Sequence, residues 1–227
     1  MSKDDVVRRA LAGGKVATGA DLVALGLNRM AISRLVSREV LARRACGVYV
    51  LAEHWDGEPL PAIAARFGGA PSQPLGVVCL RAAAVVHGLT DMGWWNVPNP
   101  EVALPRAVRL GPVDQLPVRV VRLSMPHGIG DLVWREFGGR GIHVTTPERT
   151  VSDLYAPWSG DLPDGIAKEA LARLMTSDRR IAARAVMHAS ALGWGRQIAA
   201  DYEAMVALRR FTEAGDDDVS GMRGISL

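Results

Sequence analysis

No stretch of this 227-residue sequence approaches the ~18 consecutive apolar residues that a membrane-spanning helix requires. Met1-Ser2-Lys3-Asp4-Asp5 also lacks the basic flank and apolar run of a secretion signal, so the expected location is the cytoplasm, with no membrane partner. Cysteine is nearly absent. Cys46 and Cys79 lie in separate apolar segments, too few for a disulfide framework and at no metal-ligand spacing, and the expectation is two buried thiols. Aromatic residues make up 5% of the chain, against 48% hydrophobic and 22% charged residues, which excludes disordered and fibrous classes and leaves a globular protein rich in Ala, Val and Leu. That mixture favours helices packed on a small sheet.

Motifs that assemble chemistry are missing too. Gly13-Gly14-Lys15 lacks the preceding spacing of a phosphate loop, and the other glycines form no dinucleotide fingerprint. There is no Gly-x-Ser-x-Gly elbow and no His-Glu-x-x-His. His87 reads as a last-turn histidine favoured by the helix dipole and His143 as a strand residue, each without a second ligand at metal spacing. A carboxylate nuclease needs clustered acids in strands, and the predicted strands offer only Glu101, while Lys168-Glu169 falls in a predicted helix. The reading is therefore a protein without metal, cofactor or catalytic site.

What is present is an uneven charge distribution. Lys3, Arg8, Arg9, Lys15, Arg29, Arg34, Arg38, Arg43 and Arg44 stand against Asp4, Asp5, Asp21 and Glu39, an excess of five positive charges in residues 1 to 51. The whole chain carries only +3, so the remainder is slightly acidic. A polyanionic partner is expected to meet the first fifty residues.

Those residues also carry an ordered set of local signals. Val6, Val7, Ala10 and Leu11 recur at helical spacing behind Asp4 and Asp5, and Gly13-Gly14 ends that helix. Thr18 predicts the N-cap of a second helix over Gly19 to Leu25, with Gly26 as its left-handed terminator. Asn28 caps a third helix to about Arg38, which puts Ala31, Ile32, Leu35 and Val36 on one side and Arg29, Met30, Ser33, Arg34 and Ser37 on the other. Two β-rich runs, 40 to 44 and 48 to 51, are joined through Ala45-Cys46-Gly47, as a tight hairpin requires. Three helices and a hairpin in this order predict a winged helix-turn-helix, whose third helix enters the major groove of double-stranded DNA.

The candidate DNA-binding residues are Thr18, Asn28, Arg29, Met30, Ser33, Arg34, Ser37, Arg38, Arg43 and Arg44. Arginine can bridge guanine O6 and N7, while serine suits phosphate. Alternation along the strand sends Arg43 and Arg44 to opposite faces, so at most one of them touches DNA, and the pattern does not say which. Tyr49, in the returning strand, is expected in the core.

Gly57, Pro59 and Pro61 mark a boundary, giving a DNA-binding domain over 1–55, an α/β body over 56–212 and a disordered tail over 213–227. In the body, helices are expected up to Phe67 and over Arg81 to His87, ended by Gly88, with Leu75 to Leu80 as a short apolar run. Strands are expected at 101–104, 118–123 and 141–145, forming one small sheet. Thr146-Pro147-Glu148-Arg149 is a helix start, and three helices follow over about 165–175, 179–192 and 197–211. Arg149 and Asp153, four apart, read as an i,i+4 pair worth a few tenths of a kcal/mol. The fold class is α+β, a winged head followed by an α/β body with C-terminal helices.

Residues 20–27 (Ala-Asp-Leu-Val-Ala-Leu-Gly-Leu), 31–36 (Ala-Ile-Ser-Arg-Leu-Val) and 47–50 (Gly-Val-Tyr-Val) resemble the winged helix of AbiEi-type antitoxins and related regulators. Val78-Cys79-Leu80, His87-Gly88-Leu89-Thr90 and Thr146-Pro147-Glu148-Arg149-Thr150-Val151-Ser152-Asp153 are similar to patches in that family's second region. The resemblance implies a transcriptional autoregulator binding promoter repeats, with a body that counteracts a nucleotidyltransferase-like toxin. One position departs from it. Glu39 stands where the family often has glycine, and a left-handed non-glycine cap costs about 1 kcal/mol. Two other classes fit the head as well: a nucleic-acid-modifying enzyme delivered by it, and a regulator with no toxin partner.

Overall fold

The computed structural model describes residues 2–54, 59–108, 116, 118–121, 131–160, 162 and 165–221. Gly57 of the expected linker, Arg122-Leu123 of the second expected strand and residues 222–227 of the expected tail lie outside the described residues. The chain divides into two compact units, residues 1–85 with 91–146 and residues 86–90 with 147–227.

The first unit opens with α1 (Lys3–Ala10), where Ser2 and Asp5 satisfy each other's backbone N–H groups in a capping box. Thr18 and Asp21 do the same for α2 (Gly19–Ala24), directly after a two-residue strand, β1 (Ala17–Thr18). The third helix, α3 (Arg29–Ser37), leads into β2 (Leu41–Ala45) and β3 (Val48–Leu51). These strands form an antiparallel sheet in the order β1-β3-β2. Val7, Leu11, Leu22, Leu27, Ile32, Leu35, Leu41 and Leu51 close one core beneath them. Strand β1, two residues long, shows no alternation and was not expected from the sequence.

After a 3-10 turn at Ala52–His54 comes α4 (Leu60–Phe67). It buries Leu60, Ala62, Ile63, Ala64 and Phe67, too wide an apolar surface for one neighbour to cover. It packs against β2 and β3 and also against the sheet that follows. That sheet contains β4 (Val77–Val78), β5 (Glu101–Ala103), β6 (Arg119–Val121), β7 (Leu132–Phe137) and β8 (Arg140–Thr145) in the order β6-β5-β4-β8-β7. Helix α5 (Leu80–Val86) follows β4, and its Ala82 N–H donates to the buried Glu101 carboxylate, which also pairs with Arg81.

Five strands stand where three were expected. Strand β7 was missed because Leu132-Val133-Trp134-Arg135-Glu136-Phe137 does not alternate cleanly, yet its turn was readable. Gly138 and Gly139 take φ of 58° and 76°, the two-residue turn that right-twisted hairpins select. Winged head and five-stranded sheet fall in one unit, and the expected boundary at residue 55 lies inside it. Helix α4 supplies the physical tie. At the hairpin tip, Gly138 accepts from Val16 N–H, and Arg140 pairs with Asp21.

The second unit holds α6 (Pro147–Leu154), α7 (Ile166–Ser177), α8 (Arg179–Ala191) and α9 (Gly195–Gly221). Helix α6 is buried from Arg149 to Leu154 and contacts α7 and α8. Arg149 and Asp153 are 2% and 0% exposed, so their 2.6 Å pair is a buried one and not the surface pair expected from its spacing. His188 Nδ1 lies 3.2 Å from Ser152 Oγ, and Trp194 Nε1 donates to the Ser152 carbonyl. Tyr155 donates to Asp201, and burial together with that carboxylate pushes the phenol well above its usual range. Helix α9 continues to Gly221, through most of the segment expected to be disordered, because an established helix adds each further residue at little cost. Among the described residues, no helix is long and apolar enough to cross a membrane, and no three His, Cys, Asp or Glu residues gather to hold a metal ion.

Candidate nucleic-acid interface

The exposed face of α3 is held by caps at both ends. Asn28 Oδ1 accepts the Ala31 N–H at 2.8 Å, and Ile32 and Leu35 anchor the inner side. Before it, Gly26 N–H reaches Val23 O and Leu27 N–H reaches Leu22 O, at 2.9 and 3.1 Å, with Leu22 and Leu27 both buried. This double closure, with Gly26 at φ 83°, sets the sharp α2-to-α3 turn. After α3, Glu39 N–H reaches Val36 O and Val40 N–H reaches Leu35 O, both at 3.0 Å, so the same closure recurs with Glu39 at φ 55°. Glu39 therefore occupies the left-handed position in which glycine is relaxed.

Arg29, Met30, Ser33, Arg34 and Ser37 are all exposed along the outward side. Across from Arg29 and Ser33, β2 and β3 form the wing, with a bulge between Arg43 and Ala45. The bulge separates the two arginines that alternation left equivalent. Arg43 is exposed and donates from Nε to the Ala45 carbonyl at 3.3 Å, whereas Arg44 is half-buried and burial lowers its pKa. Cys46 sits at the exposed tip of the wing, contrary to the expected buried thiol, because a two-residue turn at the head of a hairpin has no layer to pack into. Cys79 is buried as expected.

Between α3 and the wing lies a groove of about 470 Å³ lined by Gly19, Val23, Arg29, Ile32, Ser33, Val36, Arg43 and Tyr49. Arg29 stands on its helix wall and Arg43 on its strand wall. Tyr49 both packs on the head's core and borders this groove. Three other candidate residues are engaged in holding the head together. The Thr18 hydroxyl donates to Asp21 Oδ2 at 2.7 Å, Asn28 caps α3, and Arg38 pairs with Asp4 at 2.8 Å. Burial raises the Asp21 pKa, but hydrogen bonds from Thr18 and the Arg140 guanidinium outweigh it and hold the carboxyl below its usual range.

Sequence reading missed Gly19 and Val23 in this groove, and the Arg140 that pairs with Asp21. Val23 is 59% exposed on α2, a position that helical periodicity alone marks as solvent-facing and that only the wing's placement brings to the groove. Arg140 is remote in sequence and reaches Asp21 through the β7–β8 turn.

A helix-turn-helix whose second helix projects an unburied polar row, followed by a short antiparallel hairpin paired back onto β1, is a winged helix-turn-helix. Residues 4–52 match the family model described as transcriptional regulator, AbiEi antitoxin. The chain is also similar to the crystal structure of the RV2827C protein from Mycobacterium tuberculosis, with 21% identity and a TM-score of 0.47, over 90% of this chain and 80% of that one. No curated protein matches the chain.

Proposed function

We propose that this protein is a DNA-binding transcriptional autoregulator that serves as the antitoxin of a toxin–antitoxin pair in the cytoplasm, without catalytic activity of its own. The observation that carries this reading is the exposed Arg29 and Ser33 of α3 facing Arg43 across one groove, on a segment that matches the antitoxin regulator family. In this reading α3 lies in the major groove of promoter DNA. The sugar–phosphate strand beside it passes between α3 and the wing, where Arg29 and Arg43 bracket a phosphate and Ser33 supplies a hydroxyl. Arg34, on the flank of α3 away from the wing, reaches toward a base edge. The partner of the antitoxin role is a nucleotidyltransferase-like toxin.

The family match ends at residue 52, and this favours keeping the regulator without a toxin as a second reading. One experiment tests both. The full chain and its Arg29→Ala/Arg43→Ala variant are assayed for binding to the duplex upstream of its own coding sequence, and for rescue of cells expressing a nucleotidyltransferase-like toxin. The expected result is loss of promoter binding in the variant with rescue retained. Binding without any rescue by the wild type would leave the plain regulator, and equal wild-type binding to promoter and scrambled duplex would remove both readings.

A further inference from the structure

Met30 is out of character with its surroundings. It is 64% exposed on the outward side of α3, between two arginines, while every other outward residue from 29 to 37 is polar or charged. Met30, Ser33 and Ser37 follow the i, i+3, i+7 spacing of one helical stripe, so the methionine lies in line with two short side chains that let a partner approach the helix closely. Nothing in the head's core needs it, since Ile32 and Leu35 already fill the inner side. A large apolar group held in water amid cations has its free energy to gain only when a partner covers it.

We infer that Met30 is a specificity determinant that reads the C5 methyl group of a thymine, an inference that rests on the proposed docking of α3 in the major groove. Among the four bases only thymine presents an apolar group on that edge. The unbranched thioether reaches beyond Ser33 and Ser37 and adapts its shape to a methyl group, as a β-branched residue cannot. The flanking Arg29 and Arg34 favour a polyanion over an apolar protein seat at this spot. The recognised site therefore contains a thymine beneath the first turn of α3, next to the base or phosphate that Arg34 meets.

The test begins with a consensus duplex selected from a random-sequence pool by the full-length protein. Each thymine of that duplex is then replaced in turn by deoxyuridine, which pairs identically but lacks the methyl group. For the wild type, one thymine per recognition site is expected to lose about threefold to fivefold in affinity on replacement, the factor that one buried methyl group supplies. Met30→Ala, with an unchanged melting curve, is expected to bind both duplexes alike, and Met30→Leu to retain most of the discrimination. If no thymine shows methyl dependence, or if the dependence persists in Met30→Ala, the inference falls while groove reading by α3 stands. Unchanged methyl discrimination with lost toxin rescue in Met30→Ala would assign the side chain to a protein partner and overturn it as well. If no consensus emerges from the pool, sequence reading by α3 falls, and the inference with it.

Discussion

Arg34 and Arg149 stand on helices of nine and eight residues, each among polar neighbours, yet they live in opposite environments. Arg34 is exposed on the outward side of α3 and available to a polyanion, whereas Arg149 is 2% exposed and paired to a fully buried Asp153. Both helices carry a readable local signal for their starts, Asn28 in one and Thr146-Pro147 in the other. What separates them is the layer above. Helix α3 has the core on one side and water on the other, while α6 is covered by α7 and α8. A charged residue on a one-sided helix stays open to solvent or to a polyanion, and on a covered helix it is part of the internal framework, retained only with a partner.

Breaking the Arg149–Asp153 pair gives the largest expected effect. Asp153→Ala removes the buried carboxylate that Arg149 Nε reaches at 2.6 Å and is expected to lower stability by about 3–5 kcal/mol, read in a chemical denaturation curve. The paired replacement Arg149→Met with Asp153→Leu is expected to lie closer to the wild type than either single change. A denaturation midpoint unmoved in Asp153→Ala would place this pair with the surface pairs of the head. Arg34→Ala reverses the pattern. Its melting curve is expected to stay put while affinity for the selected duplex falls by about 1–3 kcal/mol and preference relaxes at one base pair. Retained affinity and preference would take Arg34 out of the readout.

The two wing arginines sharpen the contrast within the head itself. Arg43→Ala is expected to weaken all sequences nearly equally and to lower the slope of log affinity against log salt by about 1, with a smaller change for Arg44→Ala. A salt titration that ranked them the other way would mean that the bulge turns the wrong arginine to the groove. Glu39→Gly relieves the left-handed strain after α3 and is expected to raise stability by about 1 kcal/mol without altering base preference. A thermal melt no higher than the wild type would show that the Glu39 side chain compensates its backbone.

The smallest effect concerns acid. The Asp21 carboxyl is held below its usual range by Thr18 and Arg140, so its contribution is present above the carboxyl's unfolded pKa and is lost as pH falls through the folded one. Asp21→Asn should flatten that part of the stability-versus-pH curve on the acid side of neutrality. An unchanged acid limb in the variant would remove Asp21 from the head's acid response.

Local chemistry made much of the head legible from the residues themselves. Thr18 and Asn28 capped the helices they were expected to cap, Gly26 took the left-handed turn, and the third helix divided into its apolar and polar sides where the 3.6-residue period placed them. Each of these rests on interactions within four or five residues, which the order of side chains determines by itself. Tertiary structure alone decided which candidates border the groove. It turned Arg43 to the groove and half-buried Arg44, drew Arg38 into a pair with Asp4, and exposed Cys46. It also submerged Arg149 and Asp153, and through α4 joined the head to a sheet that sequence punctuation had set apart. Caps and periodicity specify how a segment turns, but burial depends on what packs over it, and those neighbours arrive from tens of residues away.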